Sequence, residues 1–440
     1  MKDLDTDVLY RGSVKSIVGP IEVQAPLEER SVRAVAFRFS DRYSVFDWGE
    51  MPDSIPYKGE VLAGWSAYFF EILSDPERWK AFSRTPVALA LRKGASVFGT
   101  ENAAGEAVPR SKQGPSFSAR FNERGEALQQ EGLYTHAIGL CEEARLKAGW
   151  ETSWGAQDIK LFSMSAHPTR SWLVRYAPTI PPERGRVMGR EVSDYHRTRM
   201  APAPKMIPLE VVFRFDVPPG SSLRARIDRG ESILGLKPQI EGQGSDPAQW
   251  RFGFPLIEFY TKLEPVDRRL SFSEALAISG ASTEQLDEVI CRTAWVAGFL
   301  KDALESVGIH LSDGKLEWAV DEEGEVMLAD AIGPDELRIS KEGVPLSKEF
   351  LRQLYRDTPW GKDLERAKKE AEAHGSLDWK KRVRVPGPEP LGEKRVRVVS
   401  QMYASVFETL TRGKGWFPEC GPLDRVLLEM QALQKGAQSS

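Results

Sequence analysis

The sequence predicts an α+β fold, because strand patterns come first and are followed by strands, helices and hairpins in mixed order. Two strand-like segments open the chain, at residues 9–18 and 33–39, and the second alternates apolar and charged side chains. A clear hairpin pattern spans residues 315–330 around an acidic turn that contains a glycine. This order of elements disfavours a doubly wound parallel sheet.

Helical segments are recognised by apolar residues at helical spacing. The clearest one, residues 282–307, begins at a capping Ser282 and ends at Gly308. Further helices are predicted at residues 61–73 and 138–147 and, as the last one, at 395–410, and further strands at 207–214 and 255–260. Loops are predicted at residues 99–114 and 177–184, which are rich in glycine, proline and polar side chains.

The composition is that of an ordinary globular chain and excludes several classes of protein. Of 440 residues, 41% are hydrophobic and 28% charged, and the formal net charge of -4 gives no reason to expect nucleic-acid binding. No apolar run reaches the roughly 20 residues of a membrane helix, and the first residues lack a signal-peptide pattern. Three distant cysteines and five scattered histidines provide neither a disulfide framework nor a zinc site. We therefore expect a reduced, soluble, cytoplasmic protein that does not bind a membrane.

A short glycine turn near the start of the chain is the first candidate site. Gly12 to Lys15 lies between two strand-like runs, so the turn could present backbone N–H groups and the Lys15 ammonium to a phosphate. The sequence matches neither a Walker P-loop nor a kinase glycine loop. A tight hairpin with a solvated lysine is therefore the alternative.

The hairpin at residues 315–330 carries two carboxylates flanked by apolar residues, Glu317 and Asp330. Paired carboxylates on one side of a hairpin suit Mg²⁺, which prefers oxygen ligands. Asp313, Lys315 and Glu317 share one face of the strand because they are two residues apart. A structural ladder of ion pairs would explain the same pattern.

Two further groups of polar residues suit anionic substrates. Asp335 and Arg338 lie on a Pro-containing loop directly after the hairpin. Arg214, at the end of a strand, is followed by Ser221, and a guanidinium with a hydroxyl suits a phosphate monoester. A plain turn is the alternative for the first group, and the second is a weak signal by itself.

Taken in order, these segments resemble the SAICAR synthetase family, the phosphoribosylaminoimidazole-succinocarboxamide synthases. Residues 9–15 (LYRGSVK) are similar to the family's LYxGKxK, and residues 40–47 (SDRYSVFD) to its TDRxSAFD. Other segments that carry the resemblance are residues 55–70, 133–136, 206–214, 255–262, 313–318, 328–338 and 399–411. The match covers most of the chain except residues 73–132 and 141–204.

The resemblance implies a two-lobed ATP-binding fold, with an antiparallel N-terminal lobe, a larger mixed α/β lobe and ATP in the cleft. It places the lobes at residues 1–205 and 206–440, with atypical insertions at about 74–131 and 142–204 of the first. It also implies a ligase that uses ATP and Mg²⁺ to join a ribotide carboxylate to L-aspartate through an acyl phosphate. The substrates are thus small molecules, and whether the chain forms a homo-oligomer is left open.

The resemblance assigns roles to individual residues. It places ATP against Gly12, Lys15, Met206 and Lys262, and Mg²⁺ against Glu317 and Asp330. It places the substrate against Arg214, Ser221, Asp335 and Arg338, of which the two arginines and the serine bind the ribotide 5′-phosphate. It makes Lys315, Asp47 and Lys15 the catalytic residues, with Lys315 stabilising the carboxyl group under activation.

Several positions depart from the family pattern. Ser13 replaces the first lysine of the glycine-turn motif, Ala331 replaces an acidic residue, and Leu337 replaces a hydroxyl-bearing one. The chain is also longer than a compact member of the family. These departures favour, as the alternative, a diverged paralogue that joins a different carboxylate or amine.

Overall fold

The computed structural model describes residues 8–24, 26, 31–98, 116–147, 154–218, 220–231, 246–373, 380 and 385–438. Its strands are β1 (Val8–Arg11), β2 (Lys15–Gln24), β3 (Ser31–Phe39), β4 (Ala137–Cys141), β5 (Ile159–Lys160), β6 (Ser171–Arg175), β7 (Glu183–Val187), β8 (Arg190–Asp194), β9 (Lys205–Met206), β10 (Leu209–Asp216), β11 (Arg251–Thr261), β12 (Arg269–Leu270), β13 (His310–Val320), β14 (Val326–Ala329), β15 (Leu337–Lys341) and β16 (Val344–Pro345). Its helices are α1 (Lys58–Ser74), α2 (Pro76–Phe82), α3 (Pro86–Ala95), α4 (Phe117–Glu131), α5 (Glu143–Lys147), α6 (His196–Met200), α7 (Ser222–Asp228), α8 (Phe272–Ser279), α9 (Thr283–Glu305), α10 (Lys348–Arg356), α11 (Pro359–Ala373), α12 (Glu393–Leu410) and α13 (Leu423–Gln438). Helices combined with antiparallel sheets confirm the predicted α+β class.

The chain forms two compact units, each assembled from separated segments. The first unit contains Met1–Glu71, His136–Tyr176 and Ala331–Ser440, and the second contains Ile72–Thr135 and Ala177–Asp330. The lobe boundary near residue 205 and the two insertions stay predictions. None of the described helices is long and apolar enough to span a membrane.

The first unit is built on a six-stranded sheet in the order β1-β2-β3-β6-β4-β5. Trp172 of β6 lies on the face that packs against α1, where its ring is 4.8 Å from that of Phe70. Residues on the opposite face, including Ala34, Ala36 and Leu173, form a second buried cluster. The sheet is therefore packed on both faces.

The second unit is built on a sheet in the order β12-β11-β10-β13, and β14 and β9 pair with the far part of β13. Helix α9 packs against this sheet and begins with a capping box formed by Ser282 and Gln285. Its Trp295 stacks on Phe121 of α4 with ring centroids 4.6 Å apart. The long central strand β13 carries Asp313, Lys315 and Glu317 on one face.

The strands and helices agree with most of the predicted elements, with two exceptions. The helix predicted at residues 138–147 is wrong for its first part, because Ala137–Cys141 forms β4 and only Glu143–Lys147 is helical. A short apolar run is ambiguous between strand and helix, and here pairing with β6 decides it. The helix at 395–410 is not the last one, since α13 follows it. The loop predicted at residues 99–114 lies outside the described residues.

Candidate active site

The turn between β1 and β2 is a tight glycine turn. The Gly12 N–H donates to the carbonyl oxygen of Lys15 at 2.9 Å. A Cβ atom on Gly12 would lie 2.9 Å from that oxygen and 3.0 Å from the Tyr10 ring, so only glycine fits without a shift. Ser40 and Arg42 donate to carbonyl oxygens of the same turn, at 2.7 and 2.9 Å. The segment that resembles TDRxSAFD thus fixes the backbone of the turn.

Lys15 leaves this turn along β2 and lies over an aromatic ring. Its ammonium is 4.2 Å from the centroid of Phe37. The ring of His136 is 5.7 Å from that of Phe37. Burial, and then the charges of Lys15 and Arg175, lower the pKa of His136 well below its ordinary value, so this imidazole is neutral at pH 7. Lys15 thus places a cation beside this turn, and its contact with ATP stays a prediction.

Lys262, Glu317 and Asp330 come together at the end of the central hairpin of the second unit. The Lys262 ammonium contacts the Glu317 carboxylate and lies 3.6 Å from a carboxylate oxygen of Asp330. Glu317 pairs with Ala329 across the hairpin, so Asp330 follows directly beyond the last paired residue of β14. Asp330 has a left-handed backbone with φ of 59°, which is uncommon for a residue other than glycine.

The donor set formed by these two carboxylates fits Mg²⁺. The Glu317 side chain is 3% exposed and that of Asp330 19%, and a cation, the Lys262 ammonium, already lies beside both. Mg²⁺ binds one or two protein carboxylates and takes its other ligands from water and substrate phosphates. Within the described part of the chain no group of three or more His, Cys, Asp or Glu side chains is arranged to hold a metal ion.

The face of β13 that carries Asp313, Lys315 and Glu317 is occupied by ion pairs to neighbouring strands. Lys315 donates to Glu210 of β10 at 2.6 Å, and Asp313 lies 2.8 Å from an Arg214 nitrogen. The ladder of ion pairs considered from the sequence is therefore present. It is formed between strands and not along β13. The Lys315 side chain remains 34% exposed.

Arg214 lies in a buried network of charges in the second unit. Its guanidinium is 2.8 Å from Asp313, 3.3 Å from Glu258 and 3.5 Å from the Ser221 hydroxyl. Arg226 donates twice more to Glu258, at 2.8 and 2.7 Å. Burial alone would lower the pKa of Arg214, but the carboxylates of Asp313 and Glu258 raise it above its ordinary value. The structure thus brings together Arg214 and Ser221, and their contact with a phosphate stays a prediction.

Met206 borders a small apolar patch in the second unit. It pairs with Ala319 of β13, and its N–H donates to the carbonyl oxygen of Pro178 at 3.0 Å. The half-buried side chains of Met206, Tyr134 and Ala177 pack against a buried cluster of Ala319, Met327 and Ala329. Half-buried apolar side chains of this kind suit contact with a planar base.

Asp335 is buried in the first unit and contacts two side chains there. Its carboxylate accepts from Lys58 and from the Tyr403 hydroxyl, both at 2.7 Å. The turn that holds Asp335 is closed by the Leu337 N–H, which donates to the carbonyl oxygen of Gly333. Arg338 follows at the start of β15 and is half-buried. The contact of Asp335 and Arg338 with a substrate stays a prediction.

Asp47 is the most exposed of the predicted site residues. Its side chain is 92% exposed, and one carboxylate oxygen lies 3.4 Å from the Lys368 ammonium. Asp47 and the preceding Phe46 both have left-handed backbones, with φ of 59° and 54°. Two such residues in succession without glycine mark a constrained loop.

Sequence reasoning did not single out Lys58, Glu258 or Arg226, which make some of the closest ion pairs. Lys58 and Glu258 lie within the family-like segments at residues 55–70 and 255–262. Glu258 lies inside the apolar run of β11, where a charged residue needs a buried partner, and that was the available signal. Lys58 and Arg226 offered no such signal, because their contacts depend on how distant elements dock.

Comparison with known proteins places the chain in a family. A provisionally named phosphoribosylaminoimidazole-succinocarboxamide synthase of Archaeoglobus fulgidus is 30% identical over 404 residues, which is 92% of this chain and 94% of that protein. The chain belongs to the SAICAR synthetase family. A model of the family, described as SAICAR synthetase, matches residues 169–367.

Other members of the family match over shorter or more divergent stretches. The phosphoribosylaminoimidazole-succinocarboxamide synthase of Thermoplasma acidophilum is 31% identical over 220 residues, covering 48% of this chain and 69% of that protein. The solved SAICAR synthase of Saccharomyces cerevisiae, in complex with SAICAR, is 21% identical with a TM-score of 0.47, covering 94% of this chain and 97% of that one.

Membership in the SAICAR synthetase family makes this chain an ATP-dependent ligase of purine biosynthesis. The length that suggested a diverged paralogue is shared with the archaeal relative, because the alignment with that protein covers 92% of this chain. The alternative of a different carboxylate or amine is therefore not favoured.

Proposed function

We propose that this enzyme joins the carboxylate of carboxyaminoimidazole ribotide to the amino group of L-aspartate, with ATP and Mg²⁺. ATP first phosphorylates the carboxylate, and the amine then attacks the acyl phosphate and releases inorganic phosphate. The observation that carries this proposal is the cluster of Lys262, Glu317 and Asp330 in a chain of this family. A lysine between two carboxylates suits a site that must balance the charge of a transferring phosphoryl group.

The ATP contacts are divided between groups of different chemistry. The fixed backbone of the Gly12 turn and the Lys15 ammonium suit phosphate oxygens, because N–H groups and a cation both stabilise negative charge. Lys262 adds a second cation. The half-buried apolar side chains of Met206, Tyr134 and Ala177 suit the adenine ring.

Glu317 and Asp330 would hold the magnesium ion. When bound, that ion would neutralise phosphate oxygens and orient the phosphoryl group for transfer. Asp330 combines a left-handed backbone with a carboxylate oxygen 3.6 Å from the Lys262 ammonium. Without a bound magnesium ion, the Lys262 ammonium compensates the negative charge of the two carboxylates.

The substrate contacts use cations that are already held in place. Lys315 is partly accessible and suits the carboxyl group that becomes the acyl phosphate. Arg214, Ser221 and Arg338 suit the ribotide 5′-phosphate, because guanidinium and hydroxyl donors match its oxygens. Asp47 and Asp335 would orient polar groups of the substrates.

We place the enzyme in the cytoplasm with small molecules as its partners. All three cysteines, Cys141, Cys291 and Cys420, are unpaired thiols. Burial raises the pKa of Cys291 to about 12, so this thiol stays protonated and unreactive. Thiols of this kind are typical of a reducing compartment.

The experiment that tests the proposal measures product formation by the purified enzyme. With ATP, Mg²⁺, carboxyaminoimidazole ribotide and L-aspartate, we expect ADP release and a product whose mass equals both substrates less one water. Omitting either the ribotide or aspartate should abolish the product, and replacing aspartate by glutamate or asparagine should strongly reduce it. ADP release without an amide product, or the same rate with other amino acids, would contradict the assignment.

A further inference from the structure

The loop that carries Asp47 is held in an unusual backbone conformation. Phe46 and Asp47 both have positive φ, 54° and 59°, although neither is glycine. Left-handed backbone is unfavourable for such residues, so surrounding contacts must maintain it. The Asp47 side chain itself is 92% exposed and is not buried by the fold.

Helix α11 supplies those contacts from two of its residues. The ring of Trp360, near its start, lies 6.3 Å from that of Phe46 and 5.5 Å from that of Trp48. Two turns later, the Lys368 ammonium donates to the carbonyl oxygen of Phe46 at 2.6 Å. The same ammonium lies 3.4 Å from the Asp47 carboxylate.

The hydrogen bond from Lys368 to the Phe46 carbonyl oxygen restrains the whole peptide group between Phe46 and Asp47. The carbonyl of Phe46 and the N–H of Asp47 belong to one planar peptide group. Holding the carbonyl therefore restricts both ψ of Phe46 and φ of Asp47, which together set the direction of the Asp47 side chain. Lys380 donates to the carbonyl of Trp48 at 3.0 Å and restrains the other side of the loop.

We infer that Lys368 is a positioning residue for Asp47: its ammonium locks the peptide group before Asp47 and compensates the carboxylate, so that Asp47 meets the substrate in one orientation. This inference rests on the proposed role of Asp47 in the ligase reaction. Lys368 itself lies outside the segments that carry the family resemblance, and it acts through Asp47. A displaced carboxylate loses its oriented contact with substrate, which lowers the rate even when the chain remains folded.

The test compares Lys368→Met with a matched neighbour on the same helix. Lys369 is 73% exposed and contacts Glu365 one turn away, so Lys369→Met removes the same charge without touching the loop. Asp47→Asn and the double variant Lys368→Met/Asp47→Asn complete the set. For each, kcat and KM for both substrates are measured together with the thermal midpoint.

We expect Lys368→Met to lower kcat/KM about 10-fold, while Lys369→Met stays near the parent. Asp47→Asn should lower it at least as much, and the double variant should be no worse than Asp47→Asn, because both changes remove one function. A merely structural role for Lys368 would lower the thermal midpoint in both backgrounds and leave the activity of the folded fraction unchanged.

The outcomes separate the two proposals. If Asp47→Asn is impaired and Lys368→Met matches Lys369→Met, Lys368 does not position Asp47 and the role of Asp47 stands. If the two losses multiply in the double variant, Lys368 acts independently of Asp47 and the inference is overturned. If Asp47→Asn retains full activity, the role of Asp47 fails and the inference fails with it.

Discussion

The ammonium of Lys58 lies 2.7 Å from the carboxylate of Asp335, and both side chains are almost completely buried in the first unit. A second oxygen of the carboxylate accepts from the Tyr403 hydroxyl at 2.7 Å, and the ammonium lies 5.5 Å from the Tyr403 ring centroid. Lys58 belongs to α1, Asp335 to the turn before β15 and Tyr403 to α12, so these contacts connect three elements. A buried pair of this kind is costly to form from hydrated ions, so each partner depends on the other.

Removing one partner should therefore lower the stability of the fold far more than removing both. We expect Lys58→Met to lower the free energy of unfolding by about 3–5 kcal/mol, because it leaves the Asp335 charge buried without its counterion. Lys58→Met/Asp335→Leu should recover most of that loss. Urea unfolding followed by tryptophan fluorescence measures both, with the exposed Lys362→Met as control. A Lys58→Met protein as stable as this control would contradict the argument.

The Lys58–Asp335 pair also predicts how acid affects the first unit. Burial opposes ionisation of Asp335, but the Lys58 charge and its hydrogen bond hold the pKa of this carboxyl below its ordinary value of 3.8. A carboxyl whose pKa is lower in the folded state stabilises the protein above the unfolded value and loses that contribution as the pH falls further. We expect this loss below about pH 4, and its absence in Lys58→Met/Asp335→Leu. Midpoints of urea unfolding measured between pH 3 and pH 6 provide the comparison.

His310 gives the opposite dependence on pH, in the second unit. Its Nε2 is 2.6 Å from Asp216, and its Nδ1 is 3.5 Å from Glu305. These two hydrogen bonds outweigh burial and the charge of Lys301, and they raise the pKa of His310 from 6.5 to about 9. A raised pKa stabilises the folded state below the unfolded value, and the contribution is lost as the pH rises through the folded one.

We therefore expect the stability of the folded state to fall as the pH rises from 6.5 to 9. His310→Gln should remove the contribution of this residue to that fall. The His310 side chain is 42% exposed, so the effect will be smaller than the pKa alone suggests. Thermal midpoints across this range measure it, with the exposed His196→Gln as control. Parallel curves for the parent and His310→Gln would show that the imidazole carries no extra proton in the folded state.

We expect a substitution of Gly12 to weaken ATP binding and to change the stability of the fold little. A Cβ at this position would meet the Lys15 carbonyl oxygen at 2.9 Å, so Gly12→Ala must shift the turn. We expect about a 10-fold higher KM for ATP, because the N–H groups of the turn lose their alignment with the phosphates. Gly387→Ala is the matched control, since nothing lies within 4 Å of its added Cβ. An unchanged KM for ATP in Gly12→Ala would remove the turn from the nucleotide site.

The sequence was sufficient for elements whose pattern is local. The alternation of residues 315–330 predicts β13 and β14, and pairing of that hairpin by itself brings Glu317 close to Asp330. The contacts of Lys58 and Arg226 were not predictable, because each depends on the docking of elements far apart in the chain. The first part of the predicted helix at 138–147 fails for the same reason, since pairing with β6 outweighs a weak local preference.

Asp330 provides the most direct test of the metal assignment. Its φ of 59° is tolerated by asparagine, so Asp330→Asn removes the charge while keeping the backbone. We expect turnover to fall by at least about 100-fold, because a hard divalent cation loses one of its two carboxylates. Calorimetric titration of Mg²⁺ in the presence of ADP should show weaker binding, which separates metal affinity from other effects on activity. Glu322→Gln, an exposed residue of the same hairpin turn, is the control. Near-normal turnover and Mg²⁺ affinity in Asp330→Asn would exclude this carboxylate as a metal ligand.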